Sequence, residues 1–180
     1  MRRSIFEVPL FGPYQVSNWS SGLKSDLLTR FKKTKPKDRG CVLTDYNDSL
    51  NLPGYKKFVI DTLGQVFNEF SQDIQIPTDK MYVPDIWIET SRKHGHHNLH
   101  THGAVGYSAC FYIEFDPEAH KSTVFYSPLH NFINGECLYF QDTGTQEGSV
   151  VFFPSCLMHE APCNSVEKPR TVCSFNIKFR

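Results

Sequence analysis

GSVVFFPSCLMHEAP, residues 148–162, reads as a buried strand over Ser149–Phe153, closed by Pro154 and a turn that leads to His159. An apolar run this short, rich in β-branched and aromatic residues, suits a strand covered on both faces. A proline cannot donate to a continuing ladder, so the strand stops there. A lone histidine after a core strand is more often packed than metal-bound, so His159 gains meaning only from what the rest of the chain brings to it.

Eleven residues further on, Arg170 opens a second strand-like run, RTVCSFNIKF. Alternation puts Arg170, Val172, Ser174, Asn176 and Lys178 on one face and Cys173, Phe175, Ile177 and Phe179 on the other. A polar stripe led by arginine fits the wall of a wet pocket. It equally fits an antiparallel strand with one solvent face. In the other direction, five of the eight histidines crowd into RKHGHHNLHTHG, residues 92–103. Imidazole nitrogen is a common transition-metal donor. If 97–103 is extended, Asn98, His100 and His102 share a face and two rings converge as chelation requires. His94 and His96 form the same spacing, and a histidine-rich surface loop accounts for the segment about as well.

From Tyr82 onward strand candidates succeed one another at about 82–89, 97–103, 107–115, 123–127, 136–142, 149–154 and 170–179, divided by turn signals such as Asp116-Pro117 and Asn134-Gly135. Ahead of them the pattern is helical. Tyr55, Phe58, Val59, Thr62, Leu63, Val66, Phe67 and Phe70 recur at helical spacing over 54–71, with Pro53 suited to the entry. Leu23, Leu27, Leu28 and Phe31 mark an earlier helix over 20–33. The basic run Lys32–Arg39 that follows reads as a solvated loop. Helices first and strands after give an α+β, mainly β fold: an antiparallel sandwich or barrel with the N-terminal helices packed outside. The expected organisation is a single domain over 1–180, with 1–80 as helical support and 81–180 as the β core.

Composition narrows the function. The 19 basic and 19 acidic residues cancel, which disfavours a nucleic-acid partner and gives no pull toward an anionic membrane. No apolar run reaches the roughly 20 residues of a membrane span, and the start lacks the apolar core of a secretory leader. Six cysteines without a CxxC pair read as free thiols of a reducing compartment, so the expected location is the cytoplasm, that of the host if the chain is phage-encoded.

Taken in order, NLHTHG followed by YSACFYIEF, then GSVVFFPSCLMHEAP, then PRTVCSFNIKF resemble the 2-oxoglutarate/Fe(II) dioxygenase superfamily, and most closely its small stand-alone bacterial and phage members. The resemblance covers Trp87 to Arg180. It implies a double-stranded β-helix of the jelly-roll or cupin-like kind. It implies Fe(II) held by His100, His102 and His159, with 2-oxoglutarate and O₂ taking the open coordination positions. Arg170 is then expected to hold the far carboxylate of 2-oxoglutarate, with Tyr112, Asn98 and Asn176 as further co-substrate contacts. The substrate would be a small molecule or a peptide side chain, and the outcome hydroxylation with release of succinate and CO₂. Two departures stand out. His102 occupies the place of the usual carboxylate, and Val172 the place where many relatives carry serine. A cupin-like or zinc three-histidine metalloenzyme, and a non-catalytic jelly-roll protein, are the competing readings. Prime substrate and oligomeric state are not legible.

Overall fold

In the computed structural model, which describes residues 8–46 and 54–180, sequence alternation decides how two sheets and a helical layer stack. The elements run β1 (Phe11–Gln15), α1 (Ser21–Lys33), β2 (Lys37–Asp38), β3 (Val42–Thr44), α2 (Lys56–Thr62), α3 (Gly64–Ile74), β4 (Met81–Tyr82), β5 (Ile86–Ser91), β6 (His97–His100), β7 (Tyr107–Glu114), β8 (Val124–His130), β9 (Cys137–Gln141), β10 (Ser149–Pro154), β11 (His159–Ala161) and β12 (Arg170–Phe179). The larger sheet has the order β1-β10-β7-β12-β5-β3-β2, with β4 paired to β12; the smaller has the order β6-β11-β8-β9.

The three central strands of the larger sheet sort their side chains by the period of two. Ala109, Phe111 and Ile113 of β7, Val150 and Phe152 of β10, and Cys173, Phe175 and Ile177 of β12 join Leu27, Phe31, Val59, Leu63, Val66 and Phe70 of the helical segments in one core. The alternate residues, Cys110 and Tyr112, Val151 and Phe153, and Val172, form a second core with Phe125 of β8 and Leu157. The smaller sheet therefore covers one face of the larger and the helices cover the other. This is the double-stranded β-helix with its helices outside.

Two differences from the sequence reading have physical causes. The helix expected over 54–71 is two helices meeting at Leu63, where φ −90° and ψ 9° leave the helical well. Thr62 Oγ1 donates to the Phe58 carbonyl (2.8 Å), a back-bond that bends helices, and a glycine follows at 64. Pro53 lies outside the described residues. The N-terminal part is not purely helical either: β1 adds to the edge of the larger sheet against β10, and β3 and β2 extend the other edge beyond β5. These strands are two to five residues long, too short for a hydrophobic period to register. Cys41, Cys137, Cys156 and Cys163 are exposed, Cys110 and Cys173 buried, and all six are free thiols. No helix among the described residues is long and apolar enough to cross a membrane.

The centre of the helix-facing core is Phe152, fully buried and stacked on Phe70 (centroids 4.1 Å, 9°), with Tyr14, Phe67 and Phe175 around it. Phe152→Ala is expected to lower unfolding free energy by about 3–5 kcal/mol, read as a reduced urea midpoint at unchanged slope.

Candidate metal and co-substrate site

His159 begins β11, and the antiparallel pairing of β11 with β6 sets it directly opposite His100. Opposed residues of such a pair have Cα atoms about 4.5–5.5 Å apart, so the two imidazoles meet side by side; their centroids are 4.3 Å apart. His102 lies beyond the end of β6. Its N–H donates to the Ser155 carbonyl (2.8 Å), and the Ser155 N–H donates to Gly106 (3.0 Å), so the segment after β6 and the turn after β10 clamp each other. Gly106 sits at φ +96°, and a Cβ there would fall 2.3 Å from the Ile177 carbonyl oxygen, so only glycine fits this close approach.

The donor atoms of His100, His102 and His159 lie within 4.8 Å of one another, the only such group of metal-binding side chains among the described residues. The Nε2 atoms of His102 and His159 are 3.1 Å apart. Two nitrogens each about 2.1 Å from one cation, at right angles, are separated by roughly 3 Å. Nδ1 of His100 contacts the Asn98 carbonyl (2.6 Å) and Nδ1 of His159 the Leu157 carbonyl (2.8 Å). A carbonyl only accepts, so both Nδ1 atoms carry the proton and both Nε2 atoms offer a lone pair, the arrangement that orients ligating histidines. Burial pushes the pKa of His102 down to about 4 and that of His159 to about 3, with repulsion from His100 adding to each. Burial also lowers His100. The donor set thus fits a transition-metal ion.

Arg170, 4% exposed, enters the same pocket as the first residue of β12. Its guanidinium lies 5.5 Å from the Tyr112 ring centroid, and its Nε is buried without a hydrogen-bond partner. No carboxylate among the described residues forms an ion pair with it. A buried guanidinium without an ion-pair partner is costly, and an anionic group entering the pocket would offset that cost.

The other residues expected here are placed differently. The Tyr112 hydroxyl donates to Thr123 Oγ1 (2.9 Å) and accepts from the Thr123 N–H (3.1 Å), so it is already satisfied; Tyr112 is buried behind the pocket wall, its ring beside the Arg170 guanidinium. Asn176 does not line the pocket. Its Oδ1 accepts from Ser108 and its Nδ2 donates to Asp85, because six residues of strand carry it roughly 20 Å along β12 from Arg170. Asn98 is exposed and only its carbonyl serves the site. The pairs His159↔His100 and Ala161↔His97 leave three steps on β6 against two on β11, a bulge that turns His97 toward the pocket in its place. His94 and His96 are exposed and stay outside the histidine cluster.

Trp87, Glu89 and His97 are among the pocket residues not singled out from sequence. Trp87 packs 5.3 Å from His102; His97 stacks on His100 (4.2 Å, 16°) and bonds Glu89 through Nδ1 (3.1 Å), which raises its pKa. The i, i+2 pair Trp87 and Glu89 on a recognised strand was the available signal. Glu114 and Glu160, the acids available to a zinc hydrolase, are engaged by Thr171 and by Tyr126 and stand outside the histidine cluster.

A two-sheet β-helix enclosing a three-histidine centre and a buried arginine defines a metal-dependent enzyme of the cupin-like class. Residues 85–176 match the family described as "Putative 2OG-Fe(II) oxygenase", and the chain belongs to that family, a 2-oxoglutarate-dependent oxygenase with Fe(II) and 2-oxoglutarate as its cofactors. Solved structures share the fold. HygX from Streptomyces hygroscopicus, with nickel and 2-oxoglutarate bound, superposes with TM-score 0.63 at 13% identity over 94% of this chain and 82% of its own. A 2OG-Fe(II) oxygenase family oxidoreductase from Burkholderia pseudomallei gives 0.63 at 11% identity over 95% and 84%. The collagen prolyl hydroxylase vCPH of Paramecium Bursaria Chlorella virus-1, in its 2-oxoglutarate complex, gives 0.61 at 13% over 96% of each chain. Comparison with curated proteins gives no match.

Because His102 and His159 titrate below an unfolded histidine at about 6.5, the unfolded chain binds more protons in acid. The metal-free protein should therefore keep their full contribution above pH 6.5 and lose stability as pH falls from there through about 4. Urea midpoints of the metal-free protein between pH 7 and 4.5, beside His102→Gln/His159→Gln, check this; the variant should show a shallower fall.

Proposed function

We propose that His100, His102 and His159 hold Fe(II) through Nε2, that Arg170 receives the far carboxylate of 2-oxoglutarate, and that turnover hydroxylates a small-molecule or peptide substrate while releasing succinate and CO₂. The observation that carries the reading is the buried, unpaired guanidinium of Arg170 lining the same pocket as three convergent imidazoles. Iron(II), when bound, supplies the redox chemistry by which O₂ is divided between 2-oxoglutarate and a C–H bond.

The chain's own residues do the rest. The carbonyls of Asn98 and Leu157 fix the rings of His100 and His159 with Nε2 turned inward. The Tyr112 ring, itself locked by Thr123, supports the Arg170 guanidinium from one side so that its donors are held for a carboxylate. Val172 and Ser174 line the pocket on the same face of β12, one apolar and one able to hydrogen-bond. Phe153, packed against both His102 and His159, keeps water from the back of the site. Neighbouring structures hold hygromycin B in one case and carry the name of prolyl hydroxylase in others, so the shared fold does not choose between small molecule and peptide.

Anaerobic addition of Fe(II) and then 2-oxoglutarate should produce the visible metal-to-ligand charge-transfer band, and exposure to O₂ should yield succinate. Arg170→Ala should raise the KM for 2-oxoglutarate by about 10²–10³-fold, the scale of losing one partner of a desolvated charge pair, while Fe(II) affinity measured without 2-oxoglutarate changes less than about threefold. His159→Ala should abolish both band and succinate. Equal loss of metal and 2-oxoglutarate binding in Arg170→Ala would overturn the role given to that residue.

A further inference from the structure

We infer that the prime substrate is a small molecule with one anionic group and an apolar body, received in the groove between the β2–β3 turn and residues 94–98 with its acidic group on Arg39; this rests on the oxygenase reading above and specifies its substrate.

The groove encloses about 570 Å³, within the range of small-ligand sites. It is continuous with the histidine pocket, because Glu89, His97 and His100 line both. An apolar path joins them as well. Tyr46, half exposed on the groove side, sets its ring edge-on against Trp87 (5.1 Å, 61°), and Trp87 lies 5.3 Å from His102. With Val42 on the same wall, this gives a substrate an apolar surface leading from solvent to the metal ligands.

The charges around the groove select the sign of its occupant. Glu89 is bonded to His97 (3.1 Å), Asp38 is paired with Arg92 (2.9 Å), and Lys93 with Glu167 (2.8 Å). Arg39 alone lines the groove as a full charge without an opposite partner among the described residues; its backbone N–H donates to Val42 (2.8 Å), and its side chain is exposed. An unpaired guanidinium fork matches a carboxylate or phosphate oxygen pair. Arg170, also without an ion-pair partner among the described residues, lies inside the metal pocket and belongs to 2-oxoglutarate, so the two arginines divide the co-substrate from the substrate.

Calorimetry with saturating 2-oxoglutarate, with and without Ni(II), compares N-benzoylglycine with its neutral amide, and phenyl phosphate separates phosphate from carboxylate. The acid or the phosphate should bind at least about tenfold more tightly than the amide, the scale of one solvent-exposed charge-assisted contact. Arg39→Ala should erase that preference, and Arg39→Lys should keep most of it. Equal binding of acid and amide, binding of neither anion, or a preference that survives Arg39→Ala overturns the inference. Failure of the oxygenase reading shows separately, as the absence of the Fe(II) charge-transfer band, since the calorimetric comparison is also made without metal.

Discussion

The register of β11 against β6 is the constraint on which the chemistry depends. His159 and His100 are far apart in the chain, and only their positions as opposed residues bring their rings together without a flexible reach. His102 then needs no separate scaffold. It follows two residues after His100, and the exchange of backbone hydrogen bonds through Ser155 and Gly106 turns it back to the same point. The turn that carries His159 and the segment that carries His102 thus stabilise each other. A shift of β11 by one residue would put His159 on the opposite face and dissolve the centre.

Arg170 occupies the first position of β12, the strand with the most extensive pairing in the larger sheet, flanked by β5 on one side and β7 on the other. Anchoring an arginine at that point confines its stem, so the head group has few rotamers to choose from. Tyr112 comes from the neighbouring strand β7, and its hydroxyl is held at both its donor and acceptor positions by Thr123. The guanidinium is held in place by aromatic packing, not by an acid, which leaves its charge free for a ligand. A carboxylate at Tyr112 would neutralise the arginine and remove its affinity for a dicarboxylate.

What was legible in the sequence follows from which physical signals are local. β10 is the buried strand its composition suggested, and the alternation of β12 set Cys173, Phe175 and Ile177 apart from the face led by Arg170, as expected. His100, His102, a distal histidine and an arginine, read in that order, meet in one pocket because the strands that carry them or end beside them have neighbours fixed by the fold. Alternation failed at β6, where a bulge substitutes His97 for Asn98 at the pocket wall, and ran too far along β12, where Asn176 leaves the site altogether. A bulge is set by the partner strand and has no signature in a four-residue segment. The break at Leu63 escaped notice because apolar periodicity continues across it: Val59, Leu63, Val66 and Phe70 all point into one core, whether one helix or two delivers them.

Under the proposed ligand set, His102 in the place of the usual carboxylate alters the electrostatics of the whole pocket. Three neutral imidazoles contribute no negative charge, so a divalent cation and Arg170 together leave the metal pocket strongly positive, with Glu89 already bonded to His97. The metal must then be retained through donor geometry and basicity more than through ionic attraction. Carbonyl acceptors behind His100 and His159 meet that need, because a hydrogen bond from Nδ1–H raises the basicity of Nε2. The same excess of positive charge favours a dianionic co-substrate, whose two carboxylates offset the cation at one end and the guanidinium at the other. Under the proposed binding mode, 2-oxoglutarate and the metal would reinforce each other, each supplying the opposite charge that the other lacks.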